Sequence, residues 1–147
     1  MNIAYFLLPK NEVAYLYDDC TFRQGLEKMR HHGYTAIPVI SREGRYVGTI
    51  SEGDFLWKIL EEDQSQSHPH SRTMKSLEHL HVRDLLNSNR YPPVRITAAM
   101  ETLINSAMNQ NFIPVVDDLG NFIGIVTRKD IIGYLSSSKE TSLKKIV

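Results

Sequence analysis

The chain has 147 residues, 41% apolar and 23% charged, a balance that supports a packed core and argues against disorder. Its 17 basic and 17 acidic residues cancel, so no global field points to nucleic acid or to a basic protein, and charge effects must be local. Cys20 is the single cysteine, which excludes an internal disulfide and a thiolate metal cluster and fits a reduced, cytoplasmic setting.

The opening apolar run, Ile3 to Leu8, is stopped by Pro9-Lys10-Asn11-Glu12. That is far short of a membrane span, and the run lacks the basic leader and cleavage site of a signal peptide. It reads as a strand or a short buried segment, and no membrane insertion is expected. Val13–Tyr17 predicts a strand. Thr21–His32 predicts a helix whose Phe22, Leu26 and Met29, spaced by four and three, form an inward stripe. Strands at Ala36–Ile40 and Tyr46–Ile50 are joined through Arg42-Glu43-Gly44, and a helix carrying Phe55, Leu56, Ile59 and Leu60 follows. Residues 65–75, with Ser65-Gln66-Ser67-His68-Pro69-His70 at the start, read as an exposed linker. Leu77–Leu86 predicts a helix. The order then returns with a strand at Val94–Ile96, a helix at Ala99–Gln110, a hairpin turning at Asp118-Leu119-Gly120, and a helix carrying Ile131, Ile132 and Leu135. A polar, frayed tail is expected from Ser136 to Lys145.

That return is an internal repeat. Ile37-Pro38-Val39-Ile40 matches Ile113-Pro114-Val115-Val116, and Gly48-Thr49-Ile50-Ser51-Glu52-Gly53-Asp54 matches Gly124-Ile125-Val126-Thr127-Arg128-Lys129-Asp130, each 76 residues later. Upstream the offset becomes 78, so the second copy lacks two residues, assigned here to the equivalents of Thr35 and Ala36. Each copy reads strand, helix, strand, turn, strand, helix. The expected organisation is α+β, with a first unit at 1–64, a second at 76–138 and a tail at 139–147. A unit of about 60 residues buries little surface alone, so two packed face to face would share a core.

Two strand-to-helix junctions carry the candidate chemistry. Ser51-x-x-Asp54 and Thr127-x-x-Asp130 have the form of a helix capping box. The same helix start presents amides and a positive dipole end to a phosphate, and a carboxylate can accept from both hydroxyls of one ribose. The copies differ in charge: Glu52-Gly53 follows the hydroxyl in one and Arg128-Lys129 in the other. Cations favour phosphate there, so the second copy suits it better. His31-His32 ends the first helix, where imidazole suits the negative dipole end, with a phosphate contact as the alternative reading. His68, His70, His79 and His81 lack a carboxylate or thiolate pattern that would define a metal geometry. Trp57, Tyr46 and Phe122 read as core or interface. No histidine base accompanies either hydroxyl, and no nucleophile elbow or phosphate-binding glycine loop is present, so catalysis is not expected.

The doubled pattern, preceded by Gly33-Tyr34-Thr35-Ala36-Ile37-Pro38-Val39 and by Asn111-Phe112-Ile113-Pro114-Val115, resembles tandem cystathionine-β-synthase (CBS) domains over about residues 3 to 138. The chain looks closest to small stand-alone CBS-pair proteins of Gram-positive bacteria, some of which bind cyclic di-AMP. The resemblance implies two βαββα units about a pseudo-twofold axis, sheets packed together and helices outside, with two clefts for adenine nucleotide. It implies contacts from Ala14, Tyr34, Thr35, Ala36, Pro38, Ser51 and Asp54 at one site. At the other it implies Pro93, Phe112, Ile113, Pro114, Thr127, Arg128 and Asp130. The function implied is a regulatory module that binds cyclic di-AMP, AMP, ADP or ATP and signals to an unknown protein in trans, as a homodimer. A ligand-independent dimerisation scaffold is the alternative.

Overall fold

The computed structural model describes residues 2–64, 77–86 and 91–146. The expected linker at 65–75, with His68 and His70, lies outside them. In chain order, a 3-10 helix at Ile3–Phe6 precedes strand β1 (Leu8–Pro9), a 3-10 turn at Lys10–Glu12, and β2 (Leu16–Tyr17). Helix α1 (Phe22–His32), β3 (Ala36–Ile40), β4 (Tyr46–Ser51) and α2 (Glu52–Gln64) follow. A further 3-10 helix at Val82–Leu85 leads to β5 (Val94–Arg95), α3 (Met100–Ala107), β6 (Phe112–Val116), β7 (Phe122–Thr127) and α4 (Arg128–Ile146). The chain divides into two compact units, Ala14–Arg90 on one hand and Met1–Val13 with Tyr91–Val147 on the other.

In the unit Ala14–Arg90 the sheet order is β2-β3-β4, with β2 parallel to β3 and β3 antiparallel to β4. Thr21 starts α1 with a reciprocal cap: its Oγ1 accepts from the Gln24 N–H at 3.2 Å, and Gln24 Oε1 accepts from the Thr21 N–H at 3.0 Å. Gly33 ends the helix at φ 68°, a left-handed conformation that glycine adopts without steric cost. Phe22 and Met29 are buried among Leu16, Ile37, Val39, Ile50 and Phe55. The Phe22 and Phe55 rings meet edge to face at 5.0 Å, a geometry that adds about 1 kcal/mol beyond the area buried.

The other unit has sheet order β1-β7-β6-β5 and a core of Ile3, Val94, Leu103, Ala107, Ile113, Val115, Val126 and Ile131. Its β6–β7 hairpin repeats β3–β4 down to the irregularity. Val39 faces Gly48 and Ile40 faces Tyr46; Val115 faces Gly124 and Val116 faces Phe122. Each unit thus carries a cluster of buried side chains of its own.

The two copies exchange their leading segments. Residues 2–13 were expected to belong to the first copy, yet Leu8 pairs with Ile125 and Pro9 with Gly124, and Ile3 is fully buried in the core of the second. The first copy is completed in the same way by Leu77, Val82 and Leu85, which were expected to open the second unit. The 3-10 helices Ile3–Phe6 and Val82–Leu85 are equivalent, each followed by an extended leucine, Leu7 or Leu86. A Cβ placed on Gly48 would meet Leu86, and one on Gly124 would meet Leu7 and the Leu8 carbonyl.

Three expectations are corrected in detail. Leu77–Leu86 is not a continuous helix, because its backbone is spent on residues 18–22: Phe22 N–H donates to Leu80 O at 2.9 Å and Val82 N–H to Cys20 O at 2.8 Å. The two residues missing from the second copy come from the end of its first helix. Ala36 faces Ser51 as Phe112 faces Thr127, so the strands stay in register, whereas α1 has 11 residues and α3 has 8. The same register makes Pro92 the equivalent of Ala14, since Leu16 faces Val39 as Val94 faces Val115. The helix α4 runs to Ile146 through the stretch expected to fray, which contains neither proline nor glycine to stop it.

Candidate functional site

At the first junction, β4 ends on Ser51 and α2 begins on Glu52. Ser51 N–H donates to Asp54 Oδ2 at 2.7 Å, Ser51 Oγ donates to the same oxygen at 3.0 Å, and Asp54 N–H donates to Ser51 Oγ at 3.3 Å. The capping box is therefore closed. Glu52 N–H donates to Thr35 O at 2.9 Å, which ties the start of α2 to the strand before Ala36. The amides of Ser51, Glu52 and Asp54 are therefore already paired, and these three could meet a phosphate only if the cap opened.

The second junction repeats the frame with a looser cap. Arg128 N–H donates to Asn111 O at 2.9 Å, matching Glu52 and Thr35, and Asp130 N–H donates to Thr127 Oγ1 at 3.2 Å. Asp130 is exposed, whereas Asp54 is half-buried. Arg128, expected at a phosphate, reaches back to donate from Nε to Ala107 O at 2.7 Å. Ala107 is the last residue of the shortened α3, where a cation opposes the negative dipole end. Lys129 beside it is exposed.

The remaining candidates separate by exposure. Tyr34 and Thr35 are exposed, and Tyr34 stacks on His32 with ring centroids 5.3 Å apart. Ala14 packs against the core of its unit and Ala36 is half-buried. Pro38, Pro114, Ile113 and Phe112 are buried, with Phe112 against Tyr91 at 5.1 Å, so these four can offer a ligand backbone more readily than side chain. Pro93 is exposed. Phe122 is buried and Tyr46 hydrogen-bonds Thr49 at 2.8 Å, but Trp57 is 64% exposed and belongs to no core.

Tyr34 and Thr35 share a recess of about 460 Å³ with Leu26, Met29, Arg30, Gly33 and Glu52, all in one unit. Arg30 and the α1 residues were missed in the sequence because the reversal at Gly33 is what brings the helix end beside the motif. The only signal was the basic run Arg30-His31-His32 directly before it. Among the described residues, no group of His, Cys, Asp and Glu is arranged to hold a metal ion.

Both junctions thus set a hydroxyl and a carboxylate at the start of a helix, in the same register, behind the same hairpin. The CBS domain pattern matches residues 7–61 and again 82–137. The chain belongs to the CBS domain family. As a CBS pair it is similar in fold to CbpB solved in complex with c-di-AMP, with a TM-score of 0.82, 23% identity, and coverage of 99% of this chain and 91% of that one. It is also similar to CBSX2 solved in complex with AMP, with a TM-score of 0.72, 23% identity, and coverage of 94% and 98%. At such identities the likeness is one of fold. A curated relative from Methanopyrus kandleri, an uncharacterised protein, is 26% identical over 121 residues covering 80% of this CBS pair, which spans 57% of that relative's length.

Proposed function

We propose that this CBS pair is a regulatory module that binds an adenine nucleotide, cyclic di-AMP or AMP before ADP or ATP, and passes its occupancy to another protein in trans. The observation that carries the reading is the hydroxyl–carboxylate pair repeated in register at Ser51–Asp54 and Thr127–Asp130. Solved relatives of the same fold hold c-di-AMP and AMP, which supports the ligand class. The ligand contacts are assigned to Tyr34, Thr35, Ser51 and Asp54 in the first copy and to Thr127, Asp130 and Arg128 in the second. Asp54 and Asp130 would take ribose hydroxyls, which a carboxylate accepts in pairs. The setting is cytoplasmic, where such nucleotides are made, and the role is binding rather than turnover.

Regulation follows from differential affinity: a ligand that binds one conformation better shifts the population toward it. The test is a thermal-shift panel of AMP, ADP, ATP, cyclic di-AMP and S-adenosylmethionine. A ligand that binds only the folded state raises the melting temperature with concentration. A flat response across the panel at millimolar ligand would refute the reading.

A scaffold reading has its own observation. Leu56, Trp57 and Leu60 on α2 are 53%, 64% and 42% exposed, and Ile132 on α4 is 55% exposed. Apolar helix faces of this kind are commonly covered by a second copy. Sedimentation would read a homodimer that persists without ligand and that Trp57→Glu with Leu60→Glu converts to monomer. A wild-type chain that stays monomeric at high micromolar concentration excludes the scaffold.

A further inference from the structure

The two charged residues facing the recess of the unit Ala14–Arg90 bear on which nucleotide it accepts. We infer that this recess selects nucleotides carrying one phosphorus per sugar, with Arg30 as the phosphate donor and Glu52 as the group that rejects a longer phosphate chain. The inference rests on the nucleotide reading above and deepens it.

The volume of about 460 Å³ lies in the range of small-molecule pockets. Leu26 and Met29 give it an apolar wall, and Tyr34 gives it an aromatic edge. At the helix start the amides of Ser51, Glu52 and Asp54 already donate to Asp54, Thr35 and Ser51, so these three offer an anion nothing while the cap is closed. Glu52 adds a negative charge there, in place of the Arg128-Lys129 pair of the second copy. On the recess lining, Arg30 is the one cationic side chain; it is exposed at the last turn of α1.

One planar guanidinium matches one phosphate in a two-bond fork. A second or third phosphate finds no further cation on this lining, and its charge must be held near Glu52. Like charges set together in a site exclude the wrong ligand more effectively than a missing contact does. The recess therefore favours a monophosphate or a phosphodiester over a polyphosphate. Arg30 supplies the attraction and Glu52 the discrimination.

The test is calorimetry with adenosine, AMP, cyclic di-AMP and ATP. It uses the full chain carrying Thr127→Ala and Asp130→Ala, so that the first copy is read alone, with and without Arg30→Gln or Glu52→Gln. Both positions are exposed, so the variants are expected to fold, and circular dichroism checks it. The parent should bind AMP about tenfold tighter than ATP, and Arg30→Gln should weaken AMP about tenfold while leaving adenosine within about twofold. Glu52→Gln should close the gap between AMP and ATP. An unchanged ratio in Glu52→Gln overturns the inference. So does an equal loss of adenosine and AMP in Arg30→Gln, which would mark a steric role. Nucleotide binding that vanishes entirely in the Thr127→Ala, Asp130→Ala parent but persists in the wild type refutes the recess and leaves the nucleotide reading standing. No binding by the wild type refutes both.

Discussion

Ile3→Ala tests whether the leading segment completes the unit that contains β6 and β7. Ile3 is fully buried among Val94, Leu103, Ile113, Val115, Val126 and Ile131. Truncation removes three carbons, a transfer loss of roughly 2.4 kcal/mol at about 0.8 kcal/mol per carbon. A cavity that relaxes only partly brings the total to about 3–4 kcal/mol, inside the range for such truncations. For a chain of this size the melting point should fall by roughly 10 °C. Tyr5→Ala, at a side chain 78% exposed two residues away, should stay within about 0.5 kcal/mol. Urea unfolding gives the total, and native-state hydrogen exchange assigns it. The expected outcome is lost protection at the amides of Phe112–Val116 and Phe122–Thr127, with those of Ala36–Ile40 and Tyr46–Ser51 less affected. Equal loss in both hairpins, or loss confined to β3 and β4, would refute the assignment of Ile3.

Gly124→Ala should be far more damaging than Gly48→Ala. The new Cβ meets the Leu8 backbone carbonyl in one case and the Leu86 side chain, at 3.0 Å, in the other, and a side chain can move where a paired strand cannot. Proteolytic release of the N-terminal segment would report the first, and little change in either would refute the close approach. Thr21→Ala should cost about 1 kcal/mol by opening the α1 cap, whereas Ala99→Ser should gain a similar or smaller amount, because Ala99 starts α3 without a side-chain cap. Denaturant midpoints with unchanged slopes would confirm both. Asp117 accepts from the N–H groups of Asn121 and Leu119, each at 2.9 Å, and from the Asn121 side chain at 3.0 Å, which holds its carboxyl below the usual range. Its contribution is present above about pH 4, the unfolded value, and is lost as pH falls through the depressed folded value. The stability gap between wild type and Asp117→Asn should accordingly narrow in acid. A gap that is independent of pH would exclude the carboxylate as its source.

How much was legible in the sequence differs from element to element. Ala36–Ile40 was read to the residue, because a β-branched run bounded by glycine and a polar turn specifies a strand locally. The hydroxyl–carboxylate pairs were equally legible, since a capping box is closed over four consecutive residues and needs no distant partner. Arg30 at the recess was hidden, because its place beside Glu52 depends on a helix end that the reversal at Gly33 carries back toward the hairpin. The two-residue deletion was misplaced for a related reason. Strand register is set by pairing across the sheet, and the helix end, which lies outside that ladder, absorbed the loss.

By itself, the sequence determined the doubled α+β order, the turn of each hairpin and the hydroxyl–carboxylate pair at both helix starts. Each of these rests on neighbours along the chain. Only the tertiary structure decided that Leu8 pairs with Ile125, that Val82 and Leu85 fill the core beside Phe22, and that Arg128 turns to the Ala107 carbonyl. Those contacts join residues far apart in the chain. Apolar pattern shows that Ile3 or Val82 must be buried, but burial is non-directional, and the pattern does not say against which sheet.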